Sequence, residues 1–421
     1  MKPENSYTPG IFTIGMLFFI CGFTTWLNAT LIPFLKVACE LSNFHAYFVT
    51  FVFYLAYAAV VVPSLRMLGK AEHKNGIMIG LMAMAAGALI FIPAALLRTY
   101  ALFLAGLLVA GAGLGLLQVS VSPYVAAPGA AGNALRRRSA MSICSKVAGI
   151  VSTLAVGSAL FHKIDSLEAS IQIAIGASRA AELDTLAHKI VAPCLVTMLM
   201  LLAAAFWVKF SPFPDVGTEN GGAQKEEDVQ SGSVAHLLRF WFGALALFLS
   251  VGVEIIAVVS IALYGKSMDI SLETAKILPA GSLLAAILGC WLGVAAVPKL
   301  IGRERMLAIC AALGVVFSLA AVSISGKISI AFVALLGLSG SLAWSFVFSS
   351  TVKEAGRYVR AGSAIFAISM LGGALLPLAY GYLADTVGNR HAYWLLLPCY
   401  AAILLYAVAN FPVAKNINAD K

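Results

Sequence analysis

The chain has 421 residues, of which 61% are hydrophobic and only 11% are charged, and its formal net charge is +9. Soluble proteins hold about 25% charged residues, so this composition excludes an ordinary soluble protein. No basic stretch is interleaved with aromatic residues, so we expect no nucleic-acid partner despite the positive charge.

Long apolar runs follow one another along the whole chain. The runs 11–35 and 277–298 carry no charged residue, and both exceed the ~20 residues that a helix needs to cross a bilayer. These runs are continuous rather than alternating, which excludes a transmembrane β-barrel. We predict an all-α membrane protein with twelve transmembrane helices. The predicted spans are 10–37, 43–69, 75–97, 99–127, 137–161, 189–210, 237–265, 271–297, 305–326, 328–353, 361–385 and 390–413.

The second half of the chain repeats short motifs of the first half. The fifth and eleventh spans share Ser-Ala at 139–140 and 363–364, and a serine and a glycine follow at the same spacing. Three further pairs align in the same order: Gly22 with Gly252, Gly111 with Gly337, and Gln118 with Trp344. Two like halves are typical of transporters that expose a central site to alternate sides of the membrane. We therefore predict two pseudo-symmetric six-helix bundles, at 1–210 and 236–421, joined by a polar cytoplasmic linker at 211–235.

The distribution of lysine and arginine predicts the orientation. If both termini lie inside, 18 of the 28 Lys and Arg residues fall on the inner side, nine fall on the outer side, and Lys146 lies within a span. Cytoplasmic loops carry an excess of these residues, so we expect both termini in the cytoplasm. The outer segment 162–188 has some helical periodicity, which would suit an amphipathic helix over the outer mouth, but we favour a plain connector.

Two ionisable residues stand out because we place them well inside spans. Glu254 follows Arg239 by 15 residues, about 22 Å along a helix, and Lys146 follows Arg138 by eight residues, about 12 Å. Charged groups at such depth are costly and usually mark a transport pathway. Glu254 could load and release a proton, or it could be a structural acid. Lys146 could bind substrate, neutralise Glu254 or extend to the inner interface, and the ~10 Å difference in depth leaves a direct pair open.

Polar and aromatic residues near these two complete a candidate cavity. They are Asn28 in the first span, Gln118 in the fourth and Trp344 in the tenth. Amides bind sugar hydroxyls, and an aromatic ring can cover the C–H face of a sugar. The seven cysteines have no metal-binding spacing, and no phosphate loop or nucleophile motif stands in a soluble context. We therefore expect neither enzyme activity nor a cofactor.

Longer motifs resemble one transporter family. They are Gly22-Phe-Thr-Thr-Trp-Leu-Asn28, Gly113-Leu-Gly-Leu-Leu-Gln118, Val251-Gly-Val-Glu254, Gly381-Tyr-Leu-Ala-Asp385 and Tyr393-Trp-Leu-Leu-Leu-Pro398. These segments are similar to the fucose–galactose–glucose:proton symporters of the major facilitator superfamily. Within that family they look closest to the glucose/galactose and N-acetylglucosamine permeases of Gram-negative bacteria. The resemblance implies a multi-pass protein of the bacterial inner membrane, with a sugar substrate and protons as the coupling ion.

The chain departs from this family at two acidic positions. Ala29 stands where fucose-type members have an acid in the first span, and Gln118 stands at the acidic position of the fourth span. Coupling through those acids is therefore excluded, and Glu254 becomes our candidate coupling residue. We predict a monomer that imports a small neutral sugar, a hexose or an N-acetylhexosamine, by alternating access with proton coupling. Asn28, Gln118, Lys146 and Trp344 are our predicted substrate contacts. The alternatives are an uncoupled or sodium-coupled sugar facilitator, and a sensor or scaffold of the same fold that transports little.

Overall fold

The chain folds into long apolar helices. A computed structural model describes residues 8–68, 73–126, 134–211, 234–296, 302–341, 343, 346–347 and 359–409. Within these ranges the regular secondary structure is helical. A helix satisfies all of its backbone hydrogen bonds within one segment, which is what a span through lipid requires.

The first part of the chain contains eight helices in its described residues. They are α1 (Thr8–Ala38), α2 (Asn43–Leu68), α3 (His73–Leu96), α4 (Tyr100–Ala126), α5 (Ala134–Leu160), α6 (Ile164–Ile173), α7 (Ala177–His188) and α8 (Val191–Phe210). The second part follows with α9 (Val234–Val259), α10 (Ile261–Lys266), α11 (Leu272–Ala275), α12 (Leu278–Ala296), α13 (Arg303–Ser323), α14 (Ile328–Gly340), α15 (Val359–Thr386), a 3₁₀ turn (His391–Leu395) and α16 (Leu396–Ala409). The predicted linker lies almost entirely outside the described residues, at 212–233.

The described residues contain eleven stretches of helix that are long and apolar enough to cross a membrane. They coincide with eleven of the twelve predicted spans. The remaining prediction, 328–353, begins as α14, an apolar helix of 13 residues, and most of its second half lies outside the described residues. The chain is thus a multi-pass membrane protein.

The packing of the helices repeats in the two parts of the chain. In the first part α1 packs on α5, α4 on α2 and α3, and α8 on α3. In the second part the corresponding contacts join α9 to α15, α14 to α12 and α13, and α16 to α13. The pairing confirms the predicted pseudo-symmetry, with α1 corresponding to α9 and α4 to α14.

Gly111 and Gly337, which occupy matching positions in the two repeats, each pack against the backbone of a neighbouring helix. A Cβ on Gly111 in α4 would overlap the backbone carbonyl of Phe53 in α2. A Cβ on Gly337 in α14 would likewise overlap the backbone carbonyl of Ser282 in α12. Small residues let membrane helices approach closely, and here each repeat uses one glycine at the same helix crossing.

Most contacts between the two repeats lie along two pairs of helices, α2 with α15 and α5 with α12. Tyr57 of α2 meets Phe366 of α15 with ring centroids 6.0 Å apart. Where α5 meets α12, Gly149 of α5 lies against Leu283 of α12 and also against Trp26 of α1. The interface between the repeats therefore places residues of α1, α5 and α12 close together.

The segment 162–188 forms two helices, α6 and α7, so our preference for a plain connector was wrong. Four apolar residues are buried: Ile164 and Ile171 of α6, and Leu183 and Leu186 of α7. Ile173 at the end of α6 and Ile175 between the helices are exposed. Burial of one apolar side of each helix supplies the stability that a short isolated helix lacks. We use the name outer face for the end of the bundle that carries α6, α7, α10, α11 and the turns at 39–42, 97–99, 324–327 and 387–390, following the predicted orientation.

Candidate functional site

An ion pair joins the two repeats inside the membrane. The Nζ atom of Lys146 in α5 lies 2.9 Å from Oε1 of Glu254 in α9, and their side chains are only 7% and 14% exposed. The described part of the chain holds four ion pairs, and this is the one in which both partners lie within candidate spans. Breaking a buried pair by removing one partner is strongly destabilising, so its two residues are coupled energetically.

The pair forms although the sequence estimate placed its members ~10 Å apart in depth by the helical rise per residue. That estimate counted from Arg138 and Arg239 at the inner ends. Counted from the outer ends, Lys146 lies 14 residues before Leu160 and Glu254 lies 12 residues before Lys266. These separations correspond to about 21 and 18 Å along the helices, which is nearly the same depth.

Ser142 holds the other side of the lysine. The Lys146 ammonium donates a hydrogen bond to Ser142 Oγ at 3.1 Å, one turn earlier on α5. Ser142 Oγ also lies 3.9 Å from Cys290 Sγ of α12, across the interface between the repeats. Sequence analysis missed Ser142, although its spacing of four residues from Lys146 places it on the same helix face.

Glu254 packs against a glycine of α14, which has no side chain at the contact. A Cβ on Gly340, the last residue of α14, would come within 3.2 Å of the Glu254 Cβ. The neighbouring Ile255 packs near Gly373 of α15, which also meets the ring of Tyr54 from α2. Helices α2, α14 and α15 therefore pack near residues 254 and 255 of α9. Nothing in the sequence spacing indicated these neighbours.

Asn28 occupies a different place. It is 1% exposed, and its side-chain amide donates to the backbone carbonyl of Thr25 at 3.1 Å. With Thr24, it lines a mostly apolar cavity inside the first repeat, whose other walls include Met84, Phe91, Cys194 and Thr197. No hydrogen bond in the described residues joins Asn28 to Lys146 or Glu254.

Of the other two predicted contacts, the structure describes Gln118 but not Trp344. Gln118 is half-buried in α4, and its backbone carbonyl accepts a hydrogen bond from Ser122 Oγ at 2.9 Å. Trp344 lies outside the described residues. The structure thus brings Lys146 and Glu254 together and leaves the roles of Asn28, Gln118 and Trp344 as predictions.

The described residues contain no group of three or more His, Cys, Asp or Glu side chains that could hold a metal ion. Ser250, one turn before Glu254, donates its hydroxyl to the backbone carbonyl of Ala246 at 2.6 Å. Sodium requires several oxygen ligands. The ion-pair partner of the Glu254 carboxylate is a lysine, and this contact differs from the set of oxygen atoms that sodium needs.

Comparisons with known proteins agree with this architecture. The family model described as "Major Facilitator Superfamily" matches residues 14–377. A "Glucose/galactose transporter" of Brucella abortus is 28% identical over 410 residues, covering 96% of this chain and 95% of that protein. An "L-fucose-proton symporter" of Escherichia coli is 25% identical over 424 residues, covering 98% and 95%. The crystal structure of the E. coli fucose:proton symporter superposes with a TM-score of 0.71 at 22% identity, covering 96% of this chain and 98% of that one.

Proposed function

This chain belongs to the major facilitator superfamily, and we propose that it imports a small neutral sugar, a hexose or an N-acetylhexosamine, together with protons. The names of its relatives support a sugar substrate, since they include glucose/galactose transporters and fucose–proton symporters. The observation that carries the coupling proposal is the buried ion pair between Lys146 and Glu254, because it connects the two repeats.

The pair suits a carrier that alternates between two states. Transporters of this design move one bundle against the other around a central site. Since Lys146 belongs to the first repeat and Glu254 to the second, movement of the bundles changes the distance between them. We propose that Glu254 is charged while it contacts Lys146 and takes up a proton when the two separate, so that the direction in which the site opens controls protonation.

Protons fit this site better than sodium. A sodium ion needs several oxygen ligands, whereas the partner of the Glu254 carboxylate is the Lys146 ammonium, whose positive charge repels a sodium ion. A proton requires only one titratable group whose environment changes between states. This contrast favours proton symport over the sodium-coupled alternative.

For sugar binding we propose Gln118 and Lys146 as hydrogen-bonding residues, with Asn28 and Trp344 as further contacts. Gln118 is half-buried on α4. Helix α4 corresponds to α14 in the second repeat. Lys146 has three N–H donors, of which Glu254 and Ser142 occupy two. Among the described residues the third donor has no recorded partner, and we propose that it binds a sugar hydroxyl.

The same proposal includes the arrangement in the membrane. We propose a monomer in the bacterial inner membrane with both termini in the cytoplasm. The first bundle extends from 1 to 210, a cytoplasmic linker from 211 to 235, and the second bundle from 236 to 421. The support is the Lys/Arg distribution and the repeated helix packing.

Uptake into proteoliposomes tests the function. Purified protein would be reconstituted with an acidic exterior, and entry of labelled glucose, galactose and N-acetylglucosamine would be measured with and without a proton ionophore. We expect one of these sugars to accumulate above its external concentration and the ionophore to abolish the accumulation. Accumulation that needs sodium, or equilibration without accumulation, would contradict proton coupling. Absence of both uptake and counterflow for all three sugars would instead support the sensor or scaffold alternative.

A further inference from the structure

On the outer face, a carboxylate of the second repeat binds the start of a helix of the first. Asp385, near the end of α15, accepts hydrogen bonds from the backbone N–H groups of Asn43 at 2.9 Å and Phe44 at 2.7 Å. These are the first two residues of α2, whose N–H groups have no partner within the helix. A negative charge at this position also complements the helix dipole.

Aromatic side chains continue this contact beneath Asp385. Tyr47 of α2 meets Tyr380 of α15 with ring centroids 5.4 Å apart, and both are fully buried. Gly381 allows the approach, since a Cβ there would lie 2.7 Å from the Tyr47 ring. The contact between α2 and α15 is therefore buried and tightly packed on this side of the membrane.

A second contact has the reverse polarity. Asp165 of α6, from the first repeat, accepts hydrogen bonds from the backbone N–H groups of Leu272 at 3.1 Å and Glu273 at 3.4 Å in the second repeat. Close by, Glu168 of the same helix forms an ion pair with Lys266. Helix α6 thus crosses from one repeat to the other on the outer face.

We propose that Asp385 and Asp165 form a reciprocal outer latch, in which each repeat contributes one carboxylate that binds backbone N–H groups of the other. The latch holds the outer ends of the bundles together, and both contacts must open before the central site faces outward. Hydrogen bonds to a charged acceptor are stronger than those between neutral groups, so four of them oppose this opening. Helix α6 acts as a strap between the repeats, while α7 packs on the first repeat.

Hydrogen–deuterium exchange of the full-length protein in nanodiscs tests the latch. The variants are Asp385→Asn and Asp165→Asn, and Asp269→Asn is the matched control, since Asp269 is exposed on the outer face and its carboxylate has no hydrogen bond or ion pair among the described residues. If the two contacts open together, loss of one carboxylate raises the open population by about tenfold. We therefore expect faster exchange at 272–275 in Asp385→Asn and at 43–46 in Asp165→Asn, in each case at the contact that was not mutated.

The control and the pattern of exchange decide the outcome. Asp269→Asn should exchange like the wild type at both sites, and melting temperatures show whether each variant is folded. A local effect, with faster exchange only at 43–46 in Asp385→Asn and only at 272–275 in Asp165→Asn, would overturn the latch. Unchanged exchange at both sites in both variants would overturn it equally.

Discussion

The Nζ atom of Lys146 and Oε1 of Glu254 lie 2.9 Å apart and connect α5 of the first repeat to α9 of the second. The pair is buried, and Ser142 is the other hydrogen-bond partner of the lysine. A charge pair of this kind resists separation unless one charge is neutralised or a substrate takes its place. Under the proposed coupling role, this contact would link protonation of Glu254 to the relative position of the bundles.

The first prediction concerns the sugar site. We expect Gln118→Ala and Trp344→Ala each to weaken binding of the transported sugar, because equivalent positions of the two repeats converge on one cavity. Loss of a buried hydrogen bond costs about 1–3 kcal/mol, which corresponds to a roughly 5- to 150-fold higher Kd. Ligand-induced thermal shifts measure this effect, and Gln172→Ala on exposed α6 is the control. Unchanged affinity in both variants would show that the cavity assignment is wrong.

The second prediction concerns Ser142. We expect Ser142→Ala to lower coupled uptake while leaving the protein folded, because the Lys146 ammonium loses its second partner within the site. An unsatisfied buried donor costs about 1–3 kcal/mol, less if the lysine reorients. Ser152→Ala is the control, since Ser152 is fully buried on the same helix and its hydroxyl has no hydrogen-bond partner among the residues that the structure describes. Equal uptake in the two variants would remove Ser142 from the site.

The third prediction concerns packing within the first repeat. A Cβ on Gly22 would overlap the backbone of Ser145, whereas a Cβ on Gly15 of the same helix would meet nothing within 4 Å. Overpacking typically costs about 1–3 kcal/mol. We therefore expect Gly22→Ala to lower the melting temperature in detergent and Gly15→Ala to leave it unchanged or raise it. Equal melting temperatures would argue against the close contact between α1 and α5.

The fourth prediction concerns orientation. We expect cysteines introduced at Arg137 and Lys353 to react with a membrane-impermeant maleimide only after the membrane is permeabilised. A cysteine at Arg179, which is exposed in α7, should react in intact cells. The excess of Lys and Arg on one side is the physical basis. If the maleimide labels position 137 but not position 179 from the outside, the predicted orientation is wrong.

Much of the fold was predictable because continuous apolar runs and repeated glycines are local signals. The alignment of Gly111 with Gly337, for instance, agrees with the same helix crossing in each repeat. The contact between Lys146 and Glu254 was not predictable in this way. Its formation depends on where two helices begin and how they pack, and basic residues at the inner ends were poor markers of depth.

Other features depended on tertiary structure alone. Nothing in the sequence indicated that Asn28 lines a cavity within the first repeat and binds its own helix, and its contact with the sugar stays a prediction. Period-3.6 patterns place a residue on a helix face without showing which neighbour that face meets. For the same reason, no sequence pattern indicated that Asp385 and Asp165 bind the backbone of the opposite repeat.

The most direct test of the account is Glu254→Gln, compared with the wild type and with the control Glu182→Gln in α7. Glutamine keeps an oxygen that can accept a hydrogen bond from Lys146 but cannot gain or lose a proton. We expect the variant to lose uptake driven by the proton gradient and to retain counterflow exchange of labelled sugar. If the pair is a fixed structural bridge, the variant should instead lose about 3–5 kcal/mol of stability, with a lower melting temperature and loss of both activities. Uphill uptake at the wild-type rate in Glu254→Gln would contradict the coupling role of this residue.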